Sequence, residues 1–286
     1  MKIAGFCLLL GVALSVPECV AADAGMVTLV EGPARILRGV TWYKLLPGAI
    51  LQDGDVIDAA AATKVQAEVA GGPMLHLVGP ALLYAAAIPP RGDGTSGTGG
   101  AVEFDLEHGW LKVASTVDKV AARLRTSGAL VAFADATVVL RADPTSTEIF
   151  VESGAARITE MGRSGKPGSA HDATAGEYWS QGVDRSITTQ RGAPAKFVAA
   201  MPRHLTERLG SFAARHKGQS AAFTADRDIA LAEADVLLAG PYRKTFVRRF
   251  SSRLADPAFR KEVDAGIAAY PEWDRVLHPE KFRPRP

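Results

Sequence analysis

The chain has 286 residues, a formal net charge of +2 at pH 7 and 22% charged residues. That length allows two domains with sizeable cores. Its two cysteines, Cys7 and Cys19, both precede residue 22, which excludes a disulfide framework, a thiolate metal site and a cysteine nucleophile from the remainder.

Lys2 and the apolar run 3–16, followed by the small residues Val20-Ala21-Ala22, have the layout of a secretory signal. Cleavage is expected near Ala22, and the mature chain is expected in the periplasm; an uncleaved N-terminal anchor is the alternative. The apolar run is too short for a spanning helix, which needs roughly 20 residues.

From residue 26 to about 181 the sequence predicts short strands. MVTLVEG and ARILRG are two runs joined by Gly32-Pro33, and TKVQAEVA alternates with Val65, Ala67 and Val69 on one face. MLHLVG follows after Gly71-Gly72-Pro73. Next come AVEFDLEHG, WLKVAS, ALVAFADATVVLR, TEIFVESG, AARITE and YWSQ, mostly divided by Gly, Pro or Asp. The stretches 89–100, PPRGDGTSGTGG, and 162–171, GRSGKPGSAH, read as polar loops. Many short strands at regular spacing predict an all-β sandwich, roll or solenoid, of which an antiparallel sandwich or roll is the expected form.

After Ala193-Pro194 the period becomes helical. KFVAAMPRHLTERLGSFAARH carries a helical pattern interrupted by Pro202, and DRDIALAEADVLLAG ends on Gly240-Pro241. PYRKTFVRRFSSRLAD places Tyr242, Phe246, Phe250 and Leu254 four residues apart. Asp256-Pro257 reads as an N-cap and an N1 proline opening PAFRKEVDAGIAAY. The Pro-rich end reads as an extended tail anchored by Trp273 and Phe282. The expected division is a signal peptide (1–22), a β domain (25–181), a linker (182–194) and a helical C-terminal module (195–286): mainly β followed by α.

Charge divides along the same line. Residues 23–194 carry 15 Lys+Arg against 19 Asp+Glu, and residues 195–286 carry 17 against 11. The basic stretch 241–254 makes Arg243, Lys244, Arg248, Arg249 and Arg253 candidates for binding an anionic partner. In an exported protein that partner is an envelope protein or glycan, or an anionic membrane surface, rather than nucleic acid. A solvated helical face, or attraction between the two unlike halves, is the plainer reading.

The β region resembles the FecR domain, a periplasmic β domain, over roughly residues 25–181. The resemblance lies in an ordered series of blocks: GMVTLVEGPARILRG, LLPGAILQDGDVIDA, KVQAEVAGGPMLHLVGPALL, FDLEHGWLKV, RLRTSGALVAFADATVVLR, IFVESGAARIT and ATAGEYW. One departure is Ala134-Asp135-Ala136-Thr137, where the family usually has Gly-Thr between paired strands. The resemblance implies the fold, the compartment and a sensing or binding role, and it brings no catalytic residues.

Four patterns invite a chemical reading. Asp53, Asp55 and Asp58 crowd together as calcium ligands do, but Ile57, Asp58 and Lys64 occupy positions that an EF-type loop reserves for an oxygen ligand, Gly and Glu. Asp53-Gly54 is instead a turn dipeptide. GDGTSG at 92–97 matches a dinucleotide fingerprint in letters but lacks the strand before it and the helix after it. None of the six histidines has zinc spacing, and no nucleophile elbow is present. Glu103, Asp105 and Glu107 share one strand face, with Phe104 and Leu106 on the other. Alternating acids commonly face solvent; as paired acids they would make the chain an envelope polysaccharide hydrolase or lyase. The reading favoured by the sequence is a non-enzymatic binding or scaffold protein of the cell envelope without a cofactor, with a membrane-surface adaptor as a further alternative.

Overall fold

Strands here arise from alternation, and many bury both faces. In the computed structural model the described residues are 25–69, 72–88, 100–115, 120–162, 165–216 and 220–282. The expected signal segment and nearly all of the expected Gly-rich loop 89–100 lie outside them.

The N-terminal strands are β1 (Gly25–Glu31), β2 (Ala34–Arg38), β3 (Thr41–Lys44), β4 (Val56–Ala59) and β5 (Lys64–Val69). The long β6 (Met74–Ala87) and β7 (Val102–Ser115) follow, then β8 (Ala122–Arg125), β9 (Ala129–Phe133) and β10 (Ala136–Ala142). The series continues with β11 (Thr147–Met161), β12 (Pro167–Thr174), β13 (Glu177–Gln181), β14 (Ile187–Arg191) and β15 (Ala225–Asp228). All are joined in one 15-stranded sheet, antiparallel at every ladder except β7 with β8. The long strands β6, β7 and β11 each pair with several shorter ones, as in a roll.

The interior of the roll is filled by residues such as Val27, Ile36, Ile57, Leu83, Phe104, Leu106 and Trp179. Their sequence neighbours Leu37, Val56, Leu82 and Tyr84 point outward into a second core. That core is completed by the helices α2 (Leu231–Ala239), α3 (Arg243–Phe250), α4 (Pro257–Gly266) and α5 (Glu272–Leu277). The stripe Tyr242, Phe246, Phe250 and Leu254 faces it as the helical period requires. Tyr84 packs against Tyr242 and Phe246 at ring separations of 4.8 and 5.0 Å. The short helix α1 (Ala195–Ala200) seals a third cluster, with Phe197 against Tyr178 and Trp110. Asp256 caps α4 by accepting from the Ala258 amide at 3.0 Å, as its sequence signature implies.

Several segments differ from the sequence reading. The expected loop 162–171 runs into β12, paired with β11, and the expected linker 182–194 contains β14, paired with β13. Both strands are largely exposed and lack the apolar alternation that marks a half-buried strand. The helical pattern at 196–216 resolves into α1 and two single 3-10 turns, because Pro202 and Gly210 interrupt it. The stretch 225–228 forms β15 on the edge of β3. The tail is α5 and a 3-10 turn rather than extended chain; Trp273 is buried, but Phe282 is 48% exposed.

Candidate functional site

The three clustered aspartates have separate partners. Asp55 accepts from Arg38 at 2.9 and 2.6 Å and from the Gln52 amide at 2.8 Å. Asp53 accepts from the Ile88 amide, and Asp58 pairs with Arg35 at 2.8 Å. Gly54, at φ +87°, turns the chain between them.

The basic residues of 241–254 divide into two groups. Arg249 donates to three backbone carbonyls, those of Leu37, Gly39 and Gly54, and so ties α3 to two turns of the β region. Burial is the main cause holding its pKa below the usual arginine value. Arg253 pairs with Asp228 at 3.1 Å and Asp256 at 3.0 Å, and Arg243 meets Glu272 at 3.5 Å. Lys244 and Arg248 are the two of the five that are exposed. Attraction within the chain thus accounts for three of the five cations.

The acids of β7 also divide. Glu103 accepts from Arg123 of the neighbouring β8 at 2.8 Å and stays at the rim. Asp105 and Glu107 do not face open solvent. The outer face of the sheet is apolar at β4 and β6, where the helices pack, and becomes polar at β7 and β8, where α2 overhangs it. The result is a cleft of about 580 Å³. Its sheet side carries Asp105, Glu107 and Arg125; its helix side carries Asp235, Val236 and Ala239.

Asp105 is 1% exposed, and its Oδ2 has no hydrogen-bond partner among the described residues. The Glu107 carboxyl lies against the backbone of Gly240, where an added Cβ would be 2.7 Å from Oε1. Burial raises both acids well above the ordinary carboxylate range; Arg125 partly opposes this at Asp105, and the charge of Asp105 adds to it at Glu107. Arg125 is the register partner of Asp105 on β8, yet makes no hydrogen bond or ion pair among the described residues. Arg185, on the far wall, donates to the oxygens of Gln181, Met161 and Ser127.

The raised acids make stability depend on pH. Unfolded carboxylates titrate near pH 4, whereas Asp105 and Glu107 hold their protons higher when folded. The folded state then binds more protons over the interval from about pH 4 upward into the neutral range, so stability falls as pH rises through it. His76 acts oppositely: burial, with the charge of His204 next, lowers it to about 4, so its contribution is lost as pH falls from 6.5 toward 4. Comparison with Asp105→Asn isolates the carboxyl. The advantage of the variant in denaturant unfolding is expected to grow between pH 4 and pH 8; a constant difference would mean that Asp105 titrates normally.

The fold is thus a mainly β protein with C-terminal helices. No family model matches the chain, and no curated protein matches it. Two crystal structures of a proposed anti-sigma factor from Parabacteroides distasonis ATCC 8503 are similar to it. One has 16% identity over 50% of this chain and 63% of the other, with a TM-score of 0.39; the second has 15% identity over 50% and 62%, with a TM-score of 0.40. The similarity therefore spans less than two thirds of the length of those proteins.

Among the described residues, no helix is long and apolar enough to cross a membrane.

Proposed function

We propose that the chain is an exported, non-enzymatic binding protein of the cell envelope, built from a FecR-like β region with a helical cover, and that its ligand seats in the cleft between β7–β8 and α2. A sensing or regulatory role accords with the ordered FecR-like blocks. The observation that carries the reading is Asp105: a fully buried carboxyl with an orphaned oxygen, placed on the wall of a cleft of ligand size.

Ala239 is exposed on the cleft side of α2, so Ala239→Trp fills the cleft without opening the core. The intact protein and this variant are each isolated from periplasmic extract, and the bound species are compared by mass spectrometry. Loss of a bound species in the variant supports the cleft as the site; identical sets from both proteins would refute it.

A second reading rests on the raised pKa values of Asp105 and Glu107, which suit a general acid. It makes the chain an envelope polysaccharide hydrolase or lyase with two acids rather than three, since Glu103 is paired with Arg123. Glycan cleavage that persists in Glu107→Gln and in Asp105→Asn would eliminate it.

A further inference from the structure

We propose that the cleft binds a small zwitterion of the amino-acid or short-peptide class, its ammonium group held by Asp105 and Glu107 and its carboxylate by Arg125. This rests on the cleft being the binding site and adds the chemistry of the ligand.

The charged groups around the cleft sort by what already occupies them. Arg185 turns its Nη1 to three oxygen acceptors of the far wall, those of Ser127, Met161 and Gln181. Asp235 accepts from the Tyr270 hydroxyl. Asp105, Glu107 and Arg125 form an adjacent set of side chains on β7 and β8 that makes no hydrogen bond or ion pair among the described residues. Among the described residues, Asp105 Oδ2 lacks a donor, and the guanidinium of Arg125, with its five N–H groups, lacks an acceptor. They stand side by side, since Asp105 and Arg125 are register partners on adjacent parallel strands.

This adjacent set places two carboxyl groups beside one guanidinium. A simple anion would satisfy Arg125 but bring no donor to Asp105 Oδ2. A simple cation would satisfy the carboxylates but leave Arg125 unanswered. A neutral polyol would leave the charge of Arg125 without a counter-charge. An ammonium supplies three donors to the acid pair, and a carboxylate takes a bidentate bond from arginine. Pro144, Met161 and Val236 supply an apolar lining for a side chain, and the volume lies within the ordinary range of small-molecule sites.

The test is isothermal titration calorimetry on the whole mature chain. The probes are the common amino acids and L-alanyl-L-alanine, followed by the N-acetyl and C-terminal amide derivatives of whichever probe binds most tightly. Blocking either end is expected to weaken binding at least about tenfold, the scale of one lost charge-assisted contact. Asp105→Asn should weaken the parent probe and narrow its advantage over the N-acetyl form. Arg125→Gln should do the same for the amide.

Equal binding of a blocked form, or no binding by any probe, would overturn the proposal. The Ala239→Trp comparison separates the two levels. If that variant loses a bound species while every zwitterion fails, only the ligand class falls. If it loses nothing, the site falls as well.

Discussion

Replacing Gly109 with alanine is expected to prevent folding or to lower stability by more than about 3 kcal/mol, the scale of combined backbone strain and steric overlap in a packed sheet. Gly109 sits within β7 at φ +111°, with β6 on one side and β10 on the other. Val78 pairs with Trp110 and Leu82 with His108, so three residues of β6 bulge opposite this single glycine. An added Cβ would lie 2.3 Å from Ala81 Cβ and 2.8 Å from the Pro80 carbonyl oxygen. Neither neighbour can withdraw without breaking the ladder. Soluble yield and the denaturation midpoint report the outcome. Gly176→Ala is the control: it also has positive φ, at +83°, but opens on empty space. It should cost only about 1 kcal/mol. If the two variants were equally stable, the bulge would not be close-packed.

The second large effect is expected at Arg249. Its guanidinium donates to the carbonyls of Leu37, Gly39 and Gly54. Arg249→Ala leaves these acceptors without a partner and is expected to cost about 3 kcal/mol, given net values of roughly 1.5–3 kcal/mol for a hydrogen bond to a charged group, discounted for partial exposure. Arg249→Lys should recover only part of this, because an ammonium on a flexible stem lacks the rigid planar fork of donors that reaches all three carbonyls. Lys244→Ala, on the exposed side of the same helix, should change stability by less than about 0.5 kcal/mol. Equal midpoints for Arg249→Ala and Lys244→Ala in urea would show that the three bonds carry no stability.

The β region was legible in the sequence because most of its strands bury at least one face. Adjacent apolar residues such as Ile36-Leu37 and Val56-Ile57 reflect the two cores on either side of the sheet. The strands β12 and β14 were not legible: apart from the buried Ala173 their residues are largely exposed, and their main instruction is the hydrogen-bonding edge of a neighbour. The stripe on α3 was readable from its period. The destination of Arg249 was not, because a helical wheel shows which side a cation leaves but not that turn carbonyls wait there. Asp105 and Glu107 present the same limit. Alternation placed them together on one face, and nothing local distinguishes a face open to water from one roofed by a helix about 130 residues later in the chain. Arg125 had no signal at all; its role follows from the parallel register of β7 and β8.

The pairing of β15 with β3 has a consequence for how the molecule is made. The outer edge of β3 is completed by residues 225–228, nearly two hundred positions downstream. Closing so long a loop is slow. Until it closes, a growing chain presents an open strand edge beside Leu37 and Val56, whose apolar cover also arrives last. The interval before the final third of the chain is delivered is therefore the period of greatest exposure to aggregation, and the period in which a chaperone would act.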